Sequence, residues 1–252
     1  MESALSSWRH MREERDDSEL DMGKLYMHAF QGKWEKVVKL YETRPEVWNA
    51  EITSSEDTAL HMAINEDKED VVVRLVEILA EAHGGDRWYE RDAEEALRKA
   101  NEVADTPLHR AAARWSVTRC KCVVEAGNKM DADLLRITNE WGETPIFVAA
   151  LDNRKHAFIF LFRKAQLPKD ELLRSPLNGE TVLYSATRRE HYDLAFHIMR
   201  LCPYLVARYN EERITPLHIL ASKSSAFRSG NDLPWWRAII DYGKYAHTPT
   251  CV

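Results

Sequence analysis

Apolar residues in this chain come in short blocks at helical spacing, separated by polar turns. The bulky blocks are Val71-Val72-Val73-Arg74-Leu75-Val76, Val123-Val124 and Phe158-Ile159-Phe160-Leu161-Phe162. Ahead of each lies a shorter pattern that returns five times: T-A-L-H at Thr58–His61, T-P-L-H at Thr106–His109, T-P-I-F at Thr144–Phe147, T-V-L-Y at Thr181–Tyr184 and T-P-L-H at Thr215–His218. The threonines are 48, 38, 37 and 34 residues apart. Small residues follow every copy: Ala63, Ala111–Ala112, Ala149–Ala150, Ala186 and Ala221. A degenerate sixth copy, Leu25-Tyr26-Met27-His28-Ala29, precedes Leu60 by 35 residues. A second echo, Asn-Glu-x-x-x-Thr, runs in register with the first at Asn101, Asn139 and Asn210.

Each copy predicts a pair of helices. Thr before the first turn can cap free N–H groups, and Pro at the next position lacks an N–H that would have had no helical partner. The alanines make a thin face on which neighbouring pairs can approach closely. Leu60, Leu108, Ile146, Leu183 and Leu217 are then core positions. This pattern resembles the ankyrin repeat, units of about 33 residues built from a β-turn and two antiparallel helices. The resemblance implies an all-α ankyrin-repeat solenoid of about six helix-turn-helix units with short β-turn fingers. No such unit buries its apolar face alone, so stability comes largely from interfaces between neighbours.

The expected boundaries are a charged, disordered lead-in at 1–21 and an ankyrin domain at 22–245. Its units lie near 22–54, 55–101, 102–139, 140–177, 178–210 and 211–245, followed by a tail at 246–252. The long second spacing places an insertion at Glu81–Ala100, with a break at His83-Gly84-Gly85 and helical composition from Glu90. It is expected as a loop or a lengthened second helix. Asp232-Leu233-Pro234 can start a helix in which Trp235-Trp236-Arg237-Ala238-Ile239-Ile240 covers the last repeat.

The two ends carry a narrower resemblance. Leu25-Tyr26-Met27-His28-Ala29-Phe30-Gln31-Gly32-Lys33-Trp34-Glu35 and Leu220-Ala221-Ser222-Lys223-Ser224-Ser225-Ala226-Phe227-Arg228-Ser229-Gly230 are similar to segments of plant ankyrin–transmembrane (PGG-domain) proteins. That family is associated with defence, cell death and stress responses, and its array is followed by membrane helices. This chain stops at Val252 without such a region, as expected of an ankyrin-only member or of a piece of a longer protein.

Composition excludes several functions. Apolar residues make up 44 % and charged residues 30 %, with a formal net charge of −6, so no overall basic field draws the chain to nucleic acid. No apolar run approaches the roughly 20 residues that span a bilayer. The four cysteines include no C-x-x-C pair and fit a reducing, cytoplasmic setting, with peripheral association at the plasma membrane as a further expectation. Cys120 and Cys122 would project to different sides of a helix. His61, His109 and His218 occupy the repeat position, where an imidazole ties its own turn to the next. The remaining histidines lack zinc spacing, and no nucleophile elbow, Walker loop or dinucleotide fingerprint occurs. No catalytic residue, cofactor or metal is expected.

What remains is a surface patterned by sign. The inner helices gather Arg110, Arg114, Arg188, Arg189 and Lys223, while the turns carry Glu102, Asp105, Glu140, Glu143, Glu180, Glu211 and Glu212. Helices stacked about 8–10 Å apart would put the two arginine clusters roughly 20 Å from each other, beyond the ~8 Å Debye length. Only an extended acidic peptide would use both. Trp141, in the turn Asn139-Glu140-Trp141-Gly142-Glu143, is a candidate aromatic anchor or a residue packed beside Val103, with Gly142 at the turn position where positive φ is cheap. The expected contact residues are Trp141, Arg110, Arg114, Trp115, Asp152, Arg188 and Arg189, serving a protein partner. The expected function is a non-catalytic adaptor in plant stress or defence signalling. The alternatives are a repeat scaffold recruited as an enzyme or small-ligand receptor, and a soluble regulator of membrane-bound relatives.

Overall fold

The computed structural model describes residues 21–82, 87–165, 172–175 and 177–223, without the side chains of residues 87 and 88. The charged lead-in before residue 21, the His83-Gly84-Gly85 break, the Trp235–Trp236 cap and the 246–252 tail lie outside the described residues. The chain divides into two compact units, Met1–Glu140 and Trp141–Val252.

Among the described residues the secondary structure is helical, with no strand and two isolated bridges, Glu51–Thr58 and Arg174–Thr181. The first unit contains α1 (21–30), α2 (Trp34–Thr43), α3 (Ala59–Asn65), α4 (Glu69–Glu81), α5 (Arg87–Arg98), α6 (Pro107–Ala112) and α7 (Val117–Lys129). Here α3 packs on α6, while α2, α4 and α7 pack in succession. Short helices thus form one row and longer helices a second. The other unit repeats the plan with α8 (Pro145–Leu151), α9 (Lys155–Lys164), α10 (Val182–Arg188), α11 (Tyr192–Leu201) and α12 (Pro216–Ser222), in which α8, α10 and α12 form the short row.

The repeat motif builds each short helix as expected. Thr58, Thr144, Thr181 and Thr215 accept the N–H of the residue three positions on. Leu60, Leu108, Ile146 and Leu183 are buried, as are the alanines that follow them. Leu217 is only half-buried. The insertion forms a helix of its own, α5, rather than a loop or an extension of α4. Its Ala93, Ala96 and Leu97 are buried, Asn49 Nδ2 donates to the Asp92 carbonyl (3.1 Å), and Lys99 pairs with Glu51 (2.7 Å).

A buried guanidinium ties α7 to the preceding helix pair. Arg119 is 5 % exposed. Its Nη1 donates to the Ile64 carbonyl (2.9 Å) and to Asp67 Oδ1 (2.6 Å) at the α3–α4 turn. Both bonds leave one terminal nitrogen, which uses its two N–H groups to join the two acceptors. Replacing Arg119 with Met should cost about 1.5–3 kcal/mol, the range for losing a hydrogen bond made by a charged group. Arg119→Lys should recover part of it, read from urea unfolding midpoints.

His61 gives a second expectation. Burial pushes its pKa down from 6.5 to about 4, against the pull of Asp57. Between those values the unfolded chain binds a proton that the folded chain refuses. The stabilisation is therefore complete above pH 6.5 and drains as pH falls towards 4, by at most about 3 kcal/mol. His61→Gln should flatten the pH dependence of stability in this window; an unchanged slope would refute the assignment.

Candidate functional site

The fingers are organised by asparagine. Asn101 Oδ1 accepts the N–H groups of Val103 (3.2 Å) and Asp105 (2.9 Å), while its amide donates to Asp57 Oδ1 (2.8 Å). One finger later, Asn139 Nδ2 donates to Asp105 Oδ1 (3.1 Å). In the other unit Asn210 Oδ1 accepts the Ile214 N–H (2.9 Å). At Asn101 and Asn139 the Asn-Glu echo is thus half of a relay, and its other half is the acid just before the threonine of the preceding finger. Gly142 takes the expected positive φ of 67°, and Ala104 and Arg213 adopt it at the matching positions.

Trp141 stands at its finger tip with 48 % exposure. The Ser175 hydroxyl donates to its carbonyl (3.4 Å) and accepts the Leu177 N–H (3.4 Å). Ser175 thereby links the backbones of two exposed apolar residues on adjoining fingers, Trp141 and Leu177. Leu177 is 60 % exposed. Sequence reasoning passed over it because its finger lacks the Asn-Glu echo.

The arginines of the short helices are engaged. Arg110 faces Asp105 (3.4 Å), and Arg114 Nη2 donates to Asn65 Oδ1 (3.2 Å). Arg188 lies 3.3 Å from Glu180 and over the Tyr184 ring, 5.7 Å from its centroid. Arg189 Nη1 donates to the Leu151 carbonyl (3.4 Å), and Lys223 pairs with Glu190 (2.8 Å). Asp152 is half-buried and closes the end of α8 through its own N–H. The sign pattern read from the sequence is therefore bridged within each unit: Asp105 and Glu180 are buried turn acids that meet the arginines. Arg110, Arg114 and Trp115 share the first unit, and Trp141, Asp152, Arg188 and Arg189 the second.

Trp115 sits in a turn unlike its counterparts. Gly32, Asp67, Asn153 and Glu190 all take positive φ between a short helix and the long helix after it. There the next N–H returns to the carbonyl five residues back: Lys33 to His28, Lys68 to Ala63, Arg154 to Ala149 and His191 to Ala186. At the matching position Trp115 is not left-handed, a conformation costly for a bulky residue. Ser116 is extended instead, and its hydroxyl meets a Glu69 carboxylate oxygen. The indole is left 77 % exposed.

A further surface has no counterpart in the expected contact residues. Met22, Tyr26, Met27 and Phe30 of α1 are exposed, Phe30 by 72 %. The signal was present in the degenerate copy, where Tyr26 and Phe30 replace residues equivalent to His61 and Asn65.

No group of His, Cys, Asp or Glu among the described residues is placed to hold a metal ion. Cys120 is buried and Cys122 half-buried, and burial pushes both thiols up to about 12, away from nucleophilic character. No described helix is long and apolar enough to cross a membrane.

No family model matches the sequence, and no curated protein matches it significantly. Solved structures do. The ankyrin repeat domain of Bcl-3, a member of the IkappaB protein family, aligns with a TM-score of 0.63 at 17 % identity, covering 87 % of this chain and 85 % of that one. The ankyrin repeat protein EF0377 aligns with a TM-score of 0.62 at 14 % identity, covering 88 % and 96 %. Repeat motif, helix pairs and these likenesses converge: the fold is that of ankyrin-repeat domains.

Proposed function

We propose that the chain is a non-catalytic protein-interaction module whose contacts centre on exposed aromatic residues of the fingers and helix turns. The observation that carries this reading is Trp115, an indole displayed at 77 % exposure on a turn that departs from its four counterparts. Trp141 and Leu177 supply a second apolar edge in the other unit. Fixed turns hold these side chains before a partner arrives, which limits the ordering cost of binding.

Pairing at the arginines bears on partner chemistry. Arg110 and Arg188 already face Asp105 and Glu180. An acidic peptide would have to compete with those carboxylates, so the reading puts affinity in the aromatics and leaves the arginines to orient the partner. The narrower role in plant stress or defence signalling, in the cytoplasm or at the plasma membrane, rests on the end segments 25–35 and 220–230.

Affinity capture from plant extract with quantitative mass spectrometry tests the reading. A true partner should fall at least about tenfold with Trp115→Ala or Trp141→Ala, since truncating an aromatic hot spot costs ~2 kcal/mol or more. Arg188→Ala should have a smaller effect, and Arg163→Ala on exposed α9 surface none. Retention of every partner by both tryptophan variants would sink the proposal.

A further inference from the structure

The turn that displays Trp115 ends on a hydroxyl. Ser116 stands at the N-cap of α7, where α2, α4, α9 and α11 have Lys33, Lys68, Arg154 and His191. Its backbone is extended (φ −88°, ψ 118°), the setting from which a side-chain oxygen reaches the first-turn N–H groups. Ser116 makes no such bond. Its Oγ meets Glu69 Oε2 on α4 instead. The repeat plan asks for no hydroxyl at this position, and this one leaves its helix without a side-chain cap.

A buried cation faces the same carboxylate. Arg119, 5 % exposed, commits Nη1 to the Ile64 carbonyl and Asp67. Its Nε is buried without a hydrogen-bond partner and lies 3.9 Å from Glu69 Oε2, the oxygen that Ser116 holds. A hydroxyl and an unmatched guanidinium donor thus meet beside the first turn of a 13-residue helix, where the macrodipole favours negative charge. Ser116 is half-buried between the exposed Trp115 and Thr118. Arg110, Arg114 and Lys121 flank it in sequence, a pattern complementary to an acidic enzyme cleft.

We propose that Ser116 is a phosphorylation site whose phosphate resets the Trp115 turn. The co-reactant is a nucleoside triphosphate and the catalyst a protein kinase. The Ser116 Oγ–P bond forms, the bond from the terminal phosphorus to the bridging oxygen breaks, the nucleoside diphosphate leaves, and the hydroxyl proton passes to the kinase's base. The product carries a charge of about −1.5 to −2 at pH 7 and has three acceptor oxygens. Ser116 then has no proton to donate to Glu69, and like charge drives the two apart. Arg119 Nε and the first-turn N–H groups of α7 take the phosphate in its place. A link between α4 and α7 is exchanged for links within α7, and negative charge arrives beside the indole. Partner binding through Trp115 is thereby switched off. That consequence rests on the binding role proposed for Trp115, whereas the exchange at Ser116 does not.

The test uses the whole chain with phosphoserine installed at Ser116 during translation. By phosphorus NMR its second ionisation should fall below the ~6 of an unconstrained phosphoserine, and Arg119→Met should move it back up. A value above ~6 would leave the phosphate beside the Glu69 carboxylate and overturn the exchange. Phosphorylation should lower the melting temperature of the parent, and by less in Glu69→Gln, which lacks the repelling charge; an equal loss in both also overturns it. Incubation of the folded chain with plant extract and ATP, followed by phosphopeptide mass spectrometry, should find phosphate on Ser116, and its absence there overturns the site. In affinity capture, phosphoserine at Ser116 should weaken a Trp115-dependent partner at least about tenfold, as loss of a hot spot does. Undiminished capture of a partner that Trp115→Ala loses would overturn the switch. If Trp115→Ala loses no partner, the binding reading fails, and the ionisation and melting results still decide the exchange.

Discussion

One imidazole holds three parts of the first unit together. Nδ1 of His61 accepts the Thr58 N–H (3.2 Å), so the proton of a neutral ring lies on Nε2, which donates to the Asp105 carbonyl (3.0 Å). Thr58 in turn caps α3. One residue thus closes its own finger, starts its own helix and fixes the base of the next finger. The asparagine–aspartate relay runs beside it from Asp57 through Asn101, and from Asp105 through Asn139. A finger tip can therefore vary freely, because its base is fixed by polar groups that are buried and mutually satisfied. The second unit keeps the Thr–His pair at Thr215 and His218, but its two other repeats work differently. Thr144, followed by Phe147 rather than His, donates its hydroxyl to the Leu172 carbonyl (2.8 Å). The buried Glu180 gathers Ser185 and Arg188.

Cationic side chains do a second kind of joining. Arg119 reaches the Ile64 carbonyl near the end of α3, and Arg189 the Leu151 carbonyl at the end of α8. Arg114, at the same repeat position as Arg189, reaches Asn65 at the end of α3. In each case a guanidinium meets the electronegative C-terminus of the preceding short helix, where carbonyls lack intrahelical partners. The basic inner face is thus first a set of links between successive repeats, and only its remaining donors are available to a partner.

The sequence showed the register of this architecture because the repeat imposes it locally. A Thr cap, a Pro at the first helical position and a Leu two residues after the Thr each act within one turn, so they survive as text. His61 was legible for the same reason. What sequence could not show is exposure, since that depends on the neighbouring repeat. The same turn position holds Asp67 in one pair and Trp115 in the next, and nothing local says that the second is 77 % exposed. The separate helix α5 was half-legible: its length and composition indicated helix, but its packing rests on Ala93, Ala96 and Leu97 meeting other elements. The charge pattern misled, because Asp105 and Glu180 were read as turn surface and are instead buried beside the arginines.

A repeat supplies its own control. Where four turns agree and a fifth departs, the repeat plan does not call for the departure, because the same turn is closed without it four times. Trp115 passes this test: a smaller left-handed residue closes the turn at Gly32, Asp67, Asn153 and Glu190. Trp141 passes a weaker form of it, since Val103 and Glu212 occupy the matching finger position. Phe30 passes too, standing where Asn65 serves in the following repeat. Large apolar side chains left in water at positions the fold does not require lower solubility without adding stability. That is the ground on which a binding role is proposed for the tryptophans.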